Sequence, residues 1–495
     1  MDTTQPTRTA SLPKMVGYGF GQCANSLVMN GINGFAMLYY TEALKLSPAL
    51  AGMAMSVSIF WEALTEPVMG HYSDHTRSRY GRRHPWMLLG GLLMAVCFYF
   101  IWAVPAALHG HETALFWYLV VMNLFLRSGL TMFFVPYLAL GFEMCGDYEG
   151  RSKLQAVRQV LDMAANFAGP ALAWSIFYRD TVGPDGVKTV GTSIPENFIH
   201  MGTAFSLATA VFVLIVLWLT RQWIEDTRRK AEQQDPVPRE NFWVDMKRTI
   251  LDPNPRWVFV YIFLVCIGMV LVSSLQMYVY VYFMKFGPYA KSVAHGSTMV
   301  GMAMGAAISA WLAVRFDKKG AVMIGGMVSV ACNGMLAALF LTGWIVVGTN
   351  TALLLFVAFH ATYWLGNGIM LPIATAMMAD VAELYRARTG VNKDGAYSAM
   401  FSLAMRMAIS FSFLASGWTL TGIGFVTDAA HTTQTPEAIW RLGAATFIAG
   451  PVVCVASLLA IRRYPITRQR LDSLLAQATP DGGIRGITAA TGLAK

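Results

Sequence analysis

The sequence predicts an all-α polytopic membrane protein of twelve transmembrane helices, arranged as two pseudo-symmetric halves of six. Three observations predict it. Of the 495 residues, 55% are apolar and only 13% charged, whereas a soluble domain carries about 25% charged residues. Apolar runs recur along the chain, most of them at or beyond the roughly 18–20 residues that cross a bilayer. Two chemically distinctive segments also recur at nearly one spacing, about half the chain apart.

The helices follow in order. The apolar runs fall at roughly 15–43, 48–73, 85–106, 113–145, 153–178 and 198–222, then 256–285, 292–315, 320–346, 349–384, 394–423 and 437–462. Several exceed the length needed to span, so they tilt or protrude. The longest polar interruption, 223–255, separates an N-terminal bundle (15–222) from a C-terminal bundle (256–463). Residues 1–14 and 464–495 read as polar tails. The first apolar helix is too long for the core of a cleaved signal peptide.

Charge sets the expected orientation. Arg77, Arg79, Arg82 and Arg83 follow helix 2, Arg151 and Lys153 follow helix 4, and Arg228, Arg229 and Lys230 follow helix 6. Arg315, Lys318, Lys319, Arg386, Arg388 and Lys393 continue the pattern, while the odd-numbered connections are poor in cations. The positive-inside rule then puts both termini and the central loop in the cytoplasm, within a bacterial inner membrane. The net charge of +9 is thereby a topology signal, and no nucleic-acid partner is called for. The six cysteines show no CxxC spacing and read as small buried apolar residues, with no disulfide frame or metal site.

The recurrence is specific. "GHYSDHTRSRYGRR" after helix 2 is echoed by "AVRFDKKG" after helix 8, with Asp74 and Asp317 243 residues apart (317 − 74). "VPYLALGFEMCGDYEGR" is echoed by "LPIATAMMADVAELYRAR", with Pro136 and Pro372 236 apart (372 − 136) and an acid, Glu143 or Asp380, following each. Two six-helix halves around a central cavity are the major facilitator arrangement. No GxxxxGK[ST], HExxH or GxSxG motif is present, so neither an ATP-driven pump nor an enzyme is indicated, and no cofactor is expected.

"FWEALTEPVMGHYSDHTRSRYGRRHPW" then raises a physical problem. Glu62 and Glu66 stand at i and i+4, on one face of helix 2. Glu62 lies ~21 Å along the axis from Pro48, near mid-membrane. Two adjacent buried carboxylates repel and are poorly solvated, so a cation, a proton or an arginine must offset them. Arg127 on helix 4 is the arginine at hand, and a purely structural salt bridge is one reading.

"EALTEPVMGHYSDHTRSRYGRRHPW", "VPYLALGFEMCGDYEGRSKL" and "MMADVAELYRARTGVNKDGAYSAMFSLAMR" resemble the helix 2, helix 4–5 and helix 10–11 segments of the glycoside–pentoside–hexuronide:cation symporter (melibiose-permease-like) family. The three stand in the family's order and touch both halves. The resemblance implies a cation site at Glu62, Thr65, Glu66 and Thr131. The family pattern has aspartates where Glu62 and Glu66 stand. A desolvated pair of carboxylates holds a proton readily, which favours H+ over Na+ as coupling ion, with Na+ at that site the other possibility.

Asp74, Arg77 and Arg83 in the helix 2–3 loop, with Glu143, Asp147, Arg151 and Asp380, read as ion pairs that lock helices near the water interface, a conformational gate. Substrate candidates are Asn25, Ser26, Arg127, Phe134, Tyr137, Arg158, Trp364 and Arg406. Arg127, Thr131 and Phe134 share one face of helix 4. The resemblance implies that Arg158 contacts sugar, but the family's two sugar-binding aspartates fall at Ser26 and Phe134, and its helix-11 lysine at Met405, beside Arg406. A plain galactoside specificity is therefore not expected. The solute expected is larger than a monosaccharide or bears an acidic or apolar aglycone. The leading reading is a monomeric symporter of a glycoside or sugar-derived small molecule in the lipid bilayer. The alternatives are a lysophospholipid or amphiphile symporter of related type and a non-transporting receptor on the same fold.

Overall fold

The computed structural model describes residues 10–145, 148–179, 181–182, 188–189, 191–225, 228, 256–389, 394–426 and 434–464. The outer tails, most of the central connection and Asp147 lie outside the described residues, and so does the side chain of Arg151.

Among the described residues eleven long helices are continuous by hydrogen bonding, and one of them is two. In the N-terminal half these are α1 (Leu12–Asn30), α2 (Pro48–His75), α3 (His84–Trp102), α4 (Glu112–Met144), α5 (Tyr148–Leu172) and α6 (Pro195–Thr220). In the C-terminal half α7 is Arg256–Tyr278, followed by Pro288–Leu341 and then by α10 (Asn350–Thr389), α11 (Asp394–Gly422) and α12 (Pro436–Arg462). Within Pro288–Leu341, Asp317 adopts φ 62° and ψ 159°, which divides the stretch into α8 (288–316) and α9 (318–341). Twelve helices result among the described residues, in the expected order. A small hairpin pairs Thr181 with Thr189 and Val182 with Lys188 between α5 and α6.

Proline marks the starts. Pro13, Pro48, Pro85, Pro195, Pro288 and Pro436 occupy the first turn of their helices, where a missing N–H costs nothing and φ is already helical. Pro67, Pro136, Pro170, Pro372 and Pro451 sit inside helices, which membrane helices tolerate because neighbours satisfy the freed carbonyls.

The halves repeat in detail that the polar motifs did not reveal. After α1 the chain widens into π-helical turns ending at Tyr39–Ala43, and after α7 into Val279–Phe283. Each is closed by a lysine at positive φ, Lys45 (58°) and Lys285 (53°). Leu44 and Leu46 donate backbone N–H groups to the carbonyls of Tyr39 and Tyr40, and Met284 and Phe286 donate to those of Val279 and Tyr280. The offset is 240 residues throughout (285 − 45).

Since the helices alternate in direction, the starts of α1 and α7 and the ends of α2 and α12 share one face, called here the terminal face. The connections after α1, α3, α5, α7, α9 and α11 share the opposite face. The two halves meet towards that opposite face. Thr41 Oγ1 and Tyr278 Oη are 2.7 Å apart, and Ser175 Oγ and Ser292 Oγ 2.9 Å. Ser410 Oγ on α11 donates to the Ser56 carbonyl on α2 at 2.9 Å. Gly52 and Gly417 bring α2 and α11 into backbone contact: a Cβ built at Gly417 would sit 2.3 Å from the Pro48 carbonyl oxygen. The apolar core follows the same division. One cluster runs through the N-terminal half and into Tyr278, Tyr280, Phe356 and Phe413, whereas a second, including Tyr261, Met377, Val381 and Tyr397, belongs to the C-terminal half alone.

Candidate functional site

At mid-membrane four charged side chains from three helices interlock. Arg127 on α4 donates from Nη1 to Glu62 Oε2 at 2.7 Å, and Arg406 on α11 lies with Nη1 2.7 Å from Glu62 Oε1. Arg406 also donates from Nε to Glu66 Oε2 at 3.0 Å and pairs through Nη2 with Glu66 Oε1. Glu62 thus lies between two guanidiniums, one from each half. Its side chain is 0% exposed and that of Arg127 2%, whereas Glu66 and Arg406 are 23% and 19% exposed. Arg127 extends the network to α1's continuation, donating from Nη2 to Asn33 Oδ1 at 3.1 Å. A buried pair is strongly destabilised by loss of one member, because the other is left uncompensated.

Thr131 lies one turn along α4 from Arg127, and its buried hydroxyl oxygen has no hydrogen-bond partner among the described residues. The Thr65 hydroxyl instead donates back to its own helix, to the carbonyls of Trp61 and Glu62 at 3.1 and 3.2 Å.

The charges at the terminal face form two clusters, one per half. Arg83 lies 2.7 Å from Asp74 and 3.1 Å from Glu143, Arg82 lies 2.7 Å from Glu143, and Arg83 also donates to Ser73. These pairs tie α2, α3 and α4 together. In the other half Lys318 lies 2.6 Å from Asp380, tying α9 to α10, while Asp317 accepts the Lys318 backbone N–H at 2.7 Å. Each of these pairs joins helices of the same half. Arg77 is exposed beside them. Since Asp74 lies far from the mid-membrane cluster and Arg83 keeps Glu143 without it, Asp74→Asn should leave Tm and ligand binding close to wild type and slow turnover. Binding affinity that falls in proportion to the transport rate would contradict this.

The substrate candidates divide. Arg127 and Arg406 are committed to the glutamates. Tyr137 is fully buried, stacked on Tyr18 at 4.3 Å, and each of these tyrosines donates its hydroxyl to the other's carbonyl, so it packs α4 against α1. Ser26 donates to Asp162 Oδ1 on α5 at 2.5 Å. Arg158 lies beside the Tyr18 hydroxyl. Asn25 and Phe134 are half-buried. Trp364 donates to His360 Nε2 at 3.2 Å, and that nitrogen also meets Tyr280 Oη and Gln276 Oε1 at 3.2 and 3.1 Å.

Sequence reasoning offered Glu62, Glu66 and Asp162 as the partners of Arg127, Arg158 and Arg406 without matching them; the structure gives Arg406 both glutamates, 340 and more residues away, through the packing of α2 on α11. Sequence reasoning missed Lys318 as the partner of Asp380, although the Asp317–Lys318 segment had signalled the repeat.

Comparison with known proteins agrees with the architecture. The family model described as MFS/sugar transport protein matches residues 17–468. The inner membrane symporter YicJ of Escherichia coli is 23% identical, with 94% of this chain and 95% of that protein covered. A glucuronide carrier protein homolog of E. coli is 23% identical, with 94% of each covered. The sodium-dependent lysophosphatidylcholine symporter 1-A of Danio rerio is also 23% identical, covering 94% of this chain and 88% of its own. Among solved structures, a bacterial homolog of the human lysosomal transporter Spinster aligns with TM-score 0.65 at 12% identity over 92% of this chain and 98% of that one. The xylose transporter XylE of E. coli aligns with TM-score 0.58 at 12% identity, over 94% and 98%. The twelve helices, the internal repeat and the match along nearly the whole chain make this protein a member of the MFS/sugar transport protein family, a polytopic membrane transporter and not an enzyme.

Proposed function

We propose that the protein is a secondary active symporter that moves a glycoside or sugar-derived solute together with a cation by alternating access. One observation carries the reading: Arg406, from the C-terminal half, occupies the space between two glutamates of the N-terminal half. A tethered guanidinium there is a stand-in for a mobile cation. When a proton or Na+ takes the carboxylates, Arg406 is released, and the tie between the halves changes with it. Coupling then follows from competition for Glu62 and Glu66, with Thr131 offering a further oxygen and Thr65 positioned on the same helix turn.

The terminal face is assigned to the cytoplasm of a bacterial inner membrane by the excess of arginine and lysine in its connections. The ion pairs around Asp74, Arg83 and Glu143, and around Asp380, hold each half rigid while the halves rock. Arg77 stands at the same face, and Asp147 and the Arg151 side chain lie outside the described residues. Asn25, Ser26, Phe134, Arg158 and Trp364 line the path of the solute, and the unit is a monomer. A proton is preferred to Na+ as coupling ion, and Na+ at the same carboxylates is the alternative.

The test is reconstitution into proteoliposomes. Uptake of a methyl hexuronide, a neutral methyl glycoside and lysophosphatidylcholine is compared under an imposed pH gradient, an imposed Na+ gradient and neither. Uphill accumulation of a sugar derivative under the pH gradient is expected. Accumulation of lysophosphatidylcholine alone would replace the sugar reading with the amphiphile one, and absence of any solute-dependent cation flux would remove the symporter reading.

A further inference from the structure

The flank of the N-terminal half that meets the bilayer is interrupted by a groove near the opposite face. Leu207, Val211, Leu214 and Trp218 make an exposed apolar stripe along α6. Leu172 and Ile176 make another where α5 ends in a π-helical turn, Ala173–Phe177. Between the two opens a cavity of about 420 Å3, within the ~300–1,000 Å3 range of pockets that hold organic ligands. Asn197, His200 and Thr203 of α6 line one end of it, and Ile176, Phe177 and Leu207 the other. Phe177 is braced edge-on against the buried Phe205 at 6.2 Å.

The polar end carries charge. Arg179 stands beside it: its carbonyl oxygen is 2.6 Å from where a Cβ on Gly191 would lie, and the Gly191 carbonyl accepts from Asn197 Nδ2 at 2.8 Å. Arg179 Nε donates to the Ser175 carbonyl at 2.9 Å, and among the described residues neither of its terminal nitrogens has a partner. The same holds, among those residues, for the ring nitrogens of the exposed His200. Glu196, exposed one turn before His200, supplies the opposite charge.

Depth orders these groups as a lipid orders its own. His200 lies ~8 Å and Leu207 ~18 Å along α6 from Pro195. The headgroup zone takes up roughly 5–8 Å on each side of the hydrocarbon. The charged rim therefore stands among headgroups and the apolar end among acyl chains.

We propose that this groove binds a zwitterionic glycerophospholipid of the leaflet at the opposite face. Arg179 and His200 hold the phosphodiester, Glu196 takes the ammonium of the headgroup, and one acyl chain runs past Ile176 to Leu207. A guanidinium and a phosphate make a charge-assisted pair. A diacylglycerol leaves that guanidinium unanswered, and a headgroup without an ammonium leaves Glu196 so. The site lies apart from the mid-membrane glutamates and does not depend on the symporter reading.

The experiment uses purified, delipidated full-length protein in detergent. It is titrated with phosphatidylethanolamine, phosphatidylglycerol and diacylglycerol of identical acyl chains, and the one-to-one adduct is read by native mass spectrometry. Phosphatidylethanolamine should bind about tenfold or more tighter than either of the others. Arg179→Gln should weaken it about tenfold or more, the worth of a hydrogen bond to a charged group. Ala204→Phe fills the groove from an exposed position on its wall and should remove the adduct. Val211→Phe adds the same ring two turns deeper on the exposed stripe and should bind as wild type does. Both of these sit on the outer surface of α6, so their unliganded Tm should match wild type, and they serve if Arg179→Gln is unstable. Diacylglycerol binding as tightly as phosphatidylethanolamine, or undiminished adduct in both Arg179→Gln and Ala204→Phe, overturns the site. Phosphatidylglycerol binding as tightly as phosphatidylethanolamine overturns the role given to Glu196.

Discussion

Glu66→Gln should abolish uphill accumulation in proteoliposomes while leaving a folded protein. Glu66 is partly exposed, and Arg406 keeps Glu62 as a partner when the Glu66 charge is removed. Solute exchange without a gradient should survive, since the amide resembles a protonated acid. Glu62→Gln should do more damage. Arg127 loses its carboxylate and keeps Asn33 and Met29, and Arg406 keeps only Glu66. Removing one member of so buried a cluster costs about 3–5 kcal/mol, to be seen as a lower Tm together with lost accumulation. Unimpaired uphill uptake in both single variants would exclude these carboxylates from coupling.

The second large effect concerns the seam on the opposite face. Gly417→Val places a Cβ 2.3 Å from the Pro48 carbonyl oxygen and 3.1 Å from the Gly52 Cα. Both are backbone atoms, so no rotamer change relieves the clash and α2 must part from α11. Overpacking of this kind costs about 1–3 kcal/mol, a bias of about 5- to 150-fold against the conformation described here. Transport should fall to the same degree, because one leg of the cycle becomes unfavourable. The direct readout is labelling of Thr41→Cys, placed where α1 meets Tyr278, in a background lacking the six native cysteines. The thiol should react quickly in Gly417→Val and slowly without it; equal rates would show that this glycine does not hold the face shut.

Much of the fold was legible because membrane helices announce themselves by long apolar runs, and the errors have local causes. α5 begins at Tyr148, five residues before the expected start, because its first two turns carry Glu149, Arg151 and Lys153 and have no apolar signature. α9 ends at Leu341, where the chain turns through Gly343 at φ 75°, although the apolar run continues to Val346. α3 stops at Trp102 because Pro105 follows. The two glutamates were legible for the opposite reason, as charges where apolar residues prevail. That Arg127, Arg158 and Arg406 belong with these acids and Asp162 was legible as well, but not which pairs with which, since pairing across the halves depends on how α2 packs on α11, which no local pattern records. Nor did the sequence distinguish Tyr137 from a ligand-facing aromatic: an aromatic residue on an interior helix face looks the same whether it meets a solute or, as here, Tyr18.

The cluster of Glu62, Glu66, Arg127 and Arg406 contains two charges of each sign, and Arg158 and Asp162 on α5 add one of each. With these side chains ionised, the empty carrier therefore brings no net charge to the middle of the bilayer. An elementary charge crossing a membrane gains about 2.3 kcal/mol per 100 mV. Carrying one cation with a neutral glycoside, the loaded form would be drawn inward by voltage, while the empty form returned unhindered. Carrying one cation with a singly charged hexuronide, it would cross as a neutral package, leaving uptake dependent on the ion's concentration gradient and nearly deaf to voltage. The electrical response of the reconstituted protein would thus report the charge of its solute.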